Sequence, residues 1–338
     1  MISTLYAAAT RWRRRHQGRP LRLAHPVVSI GNLALGGRAK TPMVELVARV
    51  LLAAGERPAI LSRGYARERV TEAPVIVRDA EAVRAGLAES GDEPLMLAEA
   101  LDGAIVVVHA DRARAGNVAE GLGATVHVLD DGFQHLRLRR DIDIVMLHPR
   151  DLDDAVVPGG RLREPLDALA SAHAIVLIDG VRNDRSAAAL RVAELSNAQV
   201  FSAVRRVEPP TAALGAARAL LVSGIADSGQ LSQSLAAAGW QVASERAFKD
   251  HHRYTSADVD DIQRAGASAG AAIVLTTMKD AVRLRAIWRG ALPLQAAPMS
   301  LAIDGTFSDW LTSRVAHTRA GRAASDRVQR EDGARHAS

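Results

Sequence analysis

The sequence predicts an α/β fold, a mostly parallel, doubly wound sheet followed by a second, smaller α/β lobe. Three observations carry that expectation. Short apolar runs rich in β-branched residues recur without polar alternation, as in strands buried on both faces. Helical patterns lie between several of them, which implies right-handed crossovers and helices on both faces of a parallel sheet. A length of 338 residues is too great for one small module and suits two.

Residues 1–25 form a basic amphipathic segment, with Ile2, Leu5, Tyr6 and Trp12 among Arg11, Arg13, Arg14, Arg15, His16, Arg19 and Arg22. Such a segment suits an anionic bilayer, where each basic residue contributes about 1 kcal/mol near the surface. A solvated helix or a nucleic-acid arm is the plainer alternative. The first lobe is expected over 26–205, with strands at 27–30, 59–61, 75–77, 105–108, 126–129, 142–147 and 175–178. Helices are expected at 44–54, closed by Gly55, and at 93–101 and 111–121. The extended stretch 199–207 ends at Pro209-Pro210 and reads as the interlobe connection. A smaller lobe follows over 206–314, with strands at 220–222, 241–248 and 273–275 and helices from Asp227 and over 256–265. Residues 315–338 are polar and charged, and are expected to be a disordered tail.

Composition narrows the function. The 48% hydrophobic and 24% charged shares indicate a packed globular chain. The absence of cysteine excludes disulfides, thiolate nucleophiles and cysteine metal sites, and suits a reducing compartment. No apolar run approaches a spanning helix and no signal-peptide order opens the chain, so the bulk is expected in the cytoplasm. A net charge of +5 favours an anionic partner. Aromatics at 3% and the lack of a recognition motif argue against nucleic acid. Of 43 basic residues only Lys40, Lys249 and Lys279 are lysine, which makes them candidates for positions where a compact point charge matters, with chance survival as the plainer alternative.

The first strand runs into Gly31-Asn32-Leu33-Ala34-Leu35-Gly36-Gly37-Arg38-Ala39-Lys40-Thr41-Pro42 and then a helix. Strand, glycine loop, Lys-Thr and helix is the layout of a P-loop: backbone N–H groups surround phosphates, Lys40 reaches the β and γ groups, and Thr41 meets Mg²⁺. Pro42 fits because its missing N–H would be unpaired in the first helical turn. Alanine stands at 34 and 39 where the strict spacing has glycine. Ala39 is the sharper departure, because its methyl would crowd the phosphates or resist a positive φ. A glycine turn that caps a helix without ligand is the alternative. The absence of G-x-G-x-x-G after this strand sets a dinucleotide oxidoreductase far back.

Gly91-Asp92-Glu93-Pro94 opens another helix, with Asp92 as N-cap or catalytic carboxylate. Asp130-Asp131-Gly132-Phe133-Gln134-His135 follows a buried strand and places two acids for Mg²⁺; an Asp-Gly turn accounts for only part of it. Asp250-His251-His252-Arg253-Tyr254 offers an imidazole from the second lobe, and zinc is the weaker reading. Leu162-Arg163-Glu164-Pro165 and Lys279-Asp280-Ala281-Val282 are, taken alone, ordinary charged segments.

Together and in this order, with Val28-Ser29-Ile30 and Ser62-Arg63-Gly64-Tyr65, these motifs resemble the tetraacyldisaccharide 4′-kinase family over residues 5–312. The resemblance implies a P-loop NTPase-like first lobe, a Rossmann-like second lobe, and a cleft between them open toward the membrane. It implies ATP and Mg²⁺ as cofactors and phosphorylation of the 4′ hydroxyl of lipid A disaccharide 1-phosphate. The expected place is the cytoplasmic face of the inner membrane, with peripheral or monotopic attachment through the N-terminal segment. Gly36, Gly37, Arg38, Ala39, Lys40 and Thr41 then surround ATP, and Thr41, Asp131 and Gln134, with Asp130 and Glu164 as alternatives, hold Mg²⁺. Asp92 accepts the hydroxyl proton with His251 as partner, and Ser62, Arg63, Tyr65, Arg112 and Arg163 serve the acceptor. Where the family pattern has Gly-Thr-Gly-Lys-Thr, this chain has Gly37-Arg38-Ala39-Lys40-Thr41. Two rivals stay open: a nucleotide-binding, membrane-associated protein with weakened catalysis, and a P-loop kinase for a soluble acceptor.

Overall fold

A computed structural model describes residues 2–36, 39–65, 67–179, 182–225, 228–249 and 252–336. The chain begins with α1 (Ile2–Arg15), β1 (Val27–Asn32), α2 (Lys40–Ala53), β2 (Pro58–Ser62) and β3 (Val75–Arg78). Next come α3 (Leu87–Ser90), α4 (Asp92–Ala100), β4 (Ile105–Val108), α5 (Arg112–Gly121), β5 (Val126–Asp130) and β6 (Ile142–Leu147). Two 3₁₀ turns, Pro149–Asp153 and Leu166–Ser171, lead to β7 (Ala174–Ile178), α6 (Arg182–Leu195) and β8 (Gln199–Val207). The remainder is β9 (Arg218–Ser223), α7 (Ser228–Ala237), β10 (Gln241–Ala247), α8 (Ser256–Ser268), β11 (Ile273–Thr276), α9 (Met278–Arg285), β12 (Leu294–Ala296), β13 (Met299–Ile303) and α10 (Phe307–His336).

Nine strands form one sheet in the order β13-β8-β7-β6-β1-β5-β2-β4-β3. All its pairings are parallel except those of the edge strands β3 and β13. Both faces are covered, which explains the unalternated apolar runs. Val28 and Ile30 of β1 pack with Met43, Val44 and Val47 of α2, while Val27, Leu61 and Leu129 pack with Ala115 and Ala119 of α5. The chain leaves β1 for β2 by passing over β5, and later extends the other way through β6 and β7, so the order reverses at β1. Ligand crevices in open parallel sheets lie outside the carboxyl ends of strands at such a point. Asn32, Ser62 and Asp130 end β1, β2 and β5 there.

The second sheet, β10-β9-β11-β12, is parallel throughout and smaller, as expected. Its limits need correction. The stretch Gln199–Val207 is a strand of the large sheet, pairing parallel with β7 and antiparallel with β13. The chain therefore re-enters the large lobe at Met299, and the small lobe spans about 208–298 rather than 206–314. The expected disordered tail is corrected as well, since α10 continues to His336. Phe307, Leu311 and Val315 bury one stripe of it against the large core. Arg319 then forks onto Glu56 at 2.7 and 2.7 Å, and Arg322, buried, donates to Asp141 at 2.5 Å. Polar composition there reflects a charged helix face with distant partners. No helix among the described residues is long and apolar enough to cross a membrane.

Candidate active site

The loop after β1 is fastened from the side by residues 161–163. Leu35 N–H donates to the Arg161 carbonyl at 2.7 Å, and Arg163 N–H to the Leu33 carbonyl at 2.6 Å. Gly31 permits the crossing behind it, because a Cβ there would lie 2.5 Å from that of Phe133. Ala39 precedes α2 with φ 54° and ψ 30°, the left-handed conformation that glycine fills at this point of a P-loop. An L-residue pays about 1–2 kcal/mol for it. The Ala39 methyl is buried in the apolar cluster with the α2 side chains, which offsets about 0.8 kcal/mol and turns it toward the core. Gly37 and Arg38 lie outside the described residues.

Asn32 is the hub of the loop. Lys40 Nζ donates to its Oδ1 at 3.0 Å and to the Gly36 carbonyl at 3.4 Å. Gln134 Nε2 and Arg163 Nη2 donate to its main-chain carbonyl at 3.0 and 3.1 Å, and Arg163 Nη2 reaches Oδ1 as well. Arg163 also forks onto both Asp131 oxygens, at 2.9 Å each, and Lys40 lies 3.6 Å from Asp131 Oδ1. Asp131 itself has φ 52°, a left-handed position that aspartate tolerates better than most residues. Burial alone would raise the Asp131 carboxyl, but hydrogen bonds from Arg163 and the Lys40 charge bring it below the usual range. Asn32, though within a quoted motif, carried no expected role; a neutral residue at a strand end has no spacing that marks it.

Asp130 has the opposite character. It is buried, accepts from Ser62 Oγ at 3.1 Å, and is pushed up to about 7 by burial, with Glu93 and Asp131 as nearby like charges. The two adjacent carboxyls are thus shifted in opposite directions, Asp131 toward the anion by Arg163 and Lys40 and Asp130 toward the protonated form by burial. Ser62 is drawn into this pair.

The remaining expected residues spread outward. Asp92 opens α4 directly after Gly91, whose φ of 83° and 2.9 Å approach to the Tyr65 carbonyl exclude a side chain. Its Oδ2 accepts from Arg283 of α9, a residue of the other lobe. His251 lies outside the described residues. Arg112 is buried and donates to the His109 and Ala110 carbonyls at 3.2 and 2.9 Å, so it braces the start of α5. Arg63 and Tyr65 are exposed. Thr41 sits half-buried in the first turn of α2. Lys249 and Lys279 belong to the small lobe, beside Gly224 and Asp280.

The donor set suits a hard divalent cation. Gln134 Oε1 is buried without a hydrogen-bond partner, and Asp131 supplies a carboxylate two residues from Phe133. No group of three or more His, Cys, Asp or Glu side chains with metal-holding geometry occurs among the described residues. Mg²⁺ bound through nucleotide phosphates needs only one or two carboxylates, so such a group is not required. Glu164, expected as a further donor, is placed elsewhere: its buried carboxylate accepts from Arg14 and Arg13 of α1.

A sequence model of the tetraacyldisaccharide-1-P 4′-kinase family matches residues 1–316. The chain belongs to that family. Among similar proteins is the tetraacyldisaccharide 4′-kinase of Koribacter versatilis, 37% identical over 313 residues, covering 89% of this chain and 93% of the relative. That of Geobacter metallireducens is 39% identical over 295 residues, covering 84% and 87%. A crystal structure of the kinase from Aquifex aeolicus in complex with ATP superposes with a TM-score of 0.75 at 29% identity, covering 93% of this chain and 97% of that one. As a tetraacyldisaccharide 4′-kinase, the protein is an ATP-dependent phosphotransferase of lipid A synthesis with a P-loop kinase fold.

Proposed function

We propose that this kinase moves the γ-phosphoryl group of ATP to the 4′ hydroxyl of lipid A disaccharide 1-phosphate at an anionic inner-membrane surface. The observation that carries the reading is the convergence of Lys40, Gln134 and Arg163 on Asn32, beside Asp131, at the carboxyl end of β1. Such a cage supplies what phosphoryl transfer asks of a protein, namely positioning and charge neutralisation.

Lys40 exchanges its present oxygen partners for the β and γ phosphates, and the N–H groups of residues 36–41 cradle them. Thr41, Asp131 and Gln134 would hold Mg²⁺, which would supply positive charge to the transferring phosphate. Asp92 accepts the 4′ hydroxyl proton as the new O–P bond forms and the bond from the γ phosphorus to its bridging oxygen breaks, releasing ADP. His251 steadies that carboxylate from the small lobe, so approach of the lobes is a condition for chemistry. Arg63 and Tyr65, exposed beside this site, and Ser62 and Arg112 behind them serve the acceptor's sugar and phosphate groups. Ile2, Leu5 and Trp12 of α1 are 69%, 66% and 63% exposed among arginines, a composition suited to the headgroup region.

The test is transfer of label from γ-labelled ATP to the acceptor in anionic vesicles. Labelled product that depends on Asp92 and weakens when the exposed Ile2, Leu5 and Trp12 are replaced by serine supports the reading; equal transfer to a soluble sugar phosphate would oppose it.

A further inference from the structure

Arg283 lies 191 residues from Asp92 in sequence and in the other lobe, yet its Nη2 bonds Asp92 Oδ2. The guanidinium is not a surface group finding a chance partner, since only 9% of the Arg283 side chain and 20% of that of Asp92 are exposed. It is also held from behind. Asp280, fully buried, stands 3.6 Å from Arg283 Nη1 and accepts from Gly224 N–H at 2.9 Å and Thr277 Oγ1 at 2.8 Å. Gly224 follows β9, so Asp280 is hydrogen-bonded at the end of the small sheet, and its charge lies within ion-pair distance of the guanidinium that bonds Asp92.

The helix bearing Arg283 is docked on the large lobe by two further contacts. Val282 packs within the large-lobe core, and Arg285 donates to Glu99 of α4 at 2.5 Å. Val282 and Arg285 thus hold α9 against α4 independently of the buried Arg283 contact. A buried guanidinium with a second carboxylate beside it presents its donors in a planar fork, which sets the direction of the carboxylate it bonds.

We propose that Arg283 is a positioning residue for the transfer step: it fixes the Asp92 carboxylate through Oδ2 and leaves Oδ1 as the oxygen that receives the acceptor proton. The inference rests on the reading of Asp92 as the proton acceptor. It also gives the small lobe a direct hold on that group, separate from His251. A misdirected carboxylate lowers the rate of the chemical step without altering the nucleotide loop, which lies on β1 and α2.

The experiment compares full-length wild type, Arg283→Gln, Arg283→Lys and Asp92→Asn by steady-state kinetics, with thermal melting of each. Arg283→Gln is expected to lower kcat at least about 30-fold with KM for ATP within about twofold, since a misdirected proton acceptor slows the chemical step and leaves nucleotide binding unchanged. Arg283→Lys should recover at least about tenfold of that loss, and guanidinium ion added to Arg283→Ala should restore part of the rate, which a purely structural role would not allow. Arg283→Gln turnover within about threefold of wild type, with Asp92→Asn inactive, would overturn the positioning role alone. Full turnover by Asp92→Asn would overturn the assignment of Asp92 and the proposal together. If Arg283→Gln melts too low to assay, guanidinium rescue of Arg283→Ala at reduced temperature decides, and failure of rescue counts against the proposal.

Discussion

Arg14 of α1 donates to the Glu164 carboxylate, whose side chain is 1% exposed, and its guanidinium lies 4.3 Å over the ring of Phe133. Glu164 adjoins Arg163, which holds Asp131, and Phe133 adjoins Gln134. The inner face of the N-terminal helix is thus fastened beneath the cage that faces nucleotide, while its outer face carries the exposed apolar residues. Removing Arg14 leaves the buried Glu164 charge with only the exposed Arg13 at 3.5 Å, and loss of the main partner of a buried charge costs about 3–5 kcal/mol. Arg14→Ala is therefore expected to lower stability by about that amount in urea unfolding, and Arg14→Ala with Glu164→Gln to recover part of it. A loss under about 1 kcal/mol would show that the pair is not the anchor.

Ala39 invites a direct comparison. Its φ is strained for an L-residue, while its methyl is buried in the core cluster with the α2 side chains. Ala39→Gly relieves about 1–2 kcal/mol of strain, and this is largely offset by about 0.8 kcal/mol for the lost buried methyl and about 0.4–1 kcal/mol for the looser unfolded chain. Because the methyl is packed in the core, nucleotide affinity by titration should stay within about threefold of wild type. A tenfold tightening would mean that the methyl does crowd the ligand.

Asp130 predicts a pH effect with a definite sign. Its carboxyl is raised from the ordinary range to about 7, chiefly by burial, so the folded protein binds more protons than the unfolded chain between about pH 4 and 7. Stability from this group is full below about pH 4 and is lost as pH rises through 7. Asp130→Asn, which cannot ionise, should melt higher than wild type at pH 8, by a margin on the order of a few kcal/mol, and the margin should shrink toward pH 4. A margin constant across that range would contradict the assignment.

The Arg163 fork gives a metal prediction. Lysine cannot meet both Asp131 oxygens and Asn32 at once, so Arg163→Lys should raise the Mg²⁺ concentration for half-maximal activity by about 10- to 100-fold, read from magnesium titrations at saturating ATP. An unchanged magnesium response would assign Arg163 to the acceptor instead.

Much of this site was legible from local sequence, because its parts obey local rules. A glycine loop between a buried strand and Lys40-Thr41, and two acids closing another strand, are placed by the chain itself, and the structure sets them at neighbouring carboxyl ends. What stayed hidden depends on partners far away in sequence. Glu164 reads as a metal donor until α1 folds back onto it, and Arg283 reads as one more helix arginine until the lobes meet. The β8 strand has the half-exposed character of a linker because it lies near the sheet edge, and its pairings with β7 and with β13, the latter nearly a hundred residues on, make it a strand. The arginines of α10 resemble a solvated tail because composition cannot show Glu56 and Asp141 opposite them.

The loop after β1 is the part on which all else depends, and isothermal titration of the purified protein with MgATP, beside Lys40→Ala, tests it most directly. Saturable heat and a raised melting temperature in the wild type, both lost in Lys40→Ala, are the predicted result. Absence of heat and of thermal protection in the wild type at saturating nucleotide would contradict it.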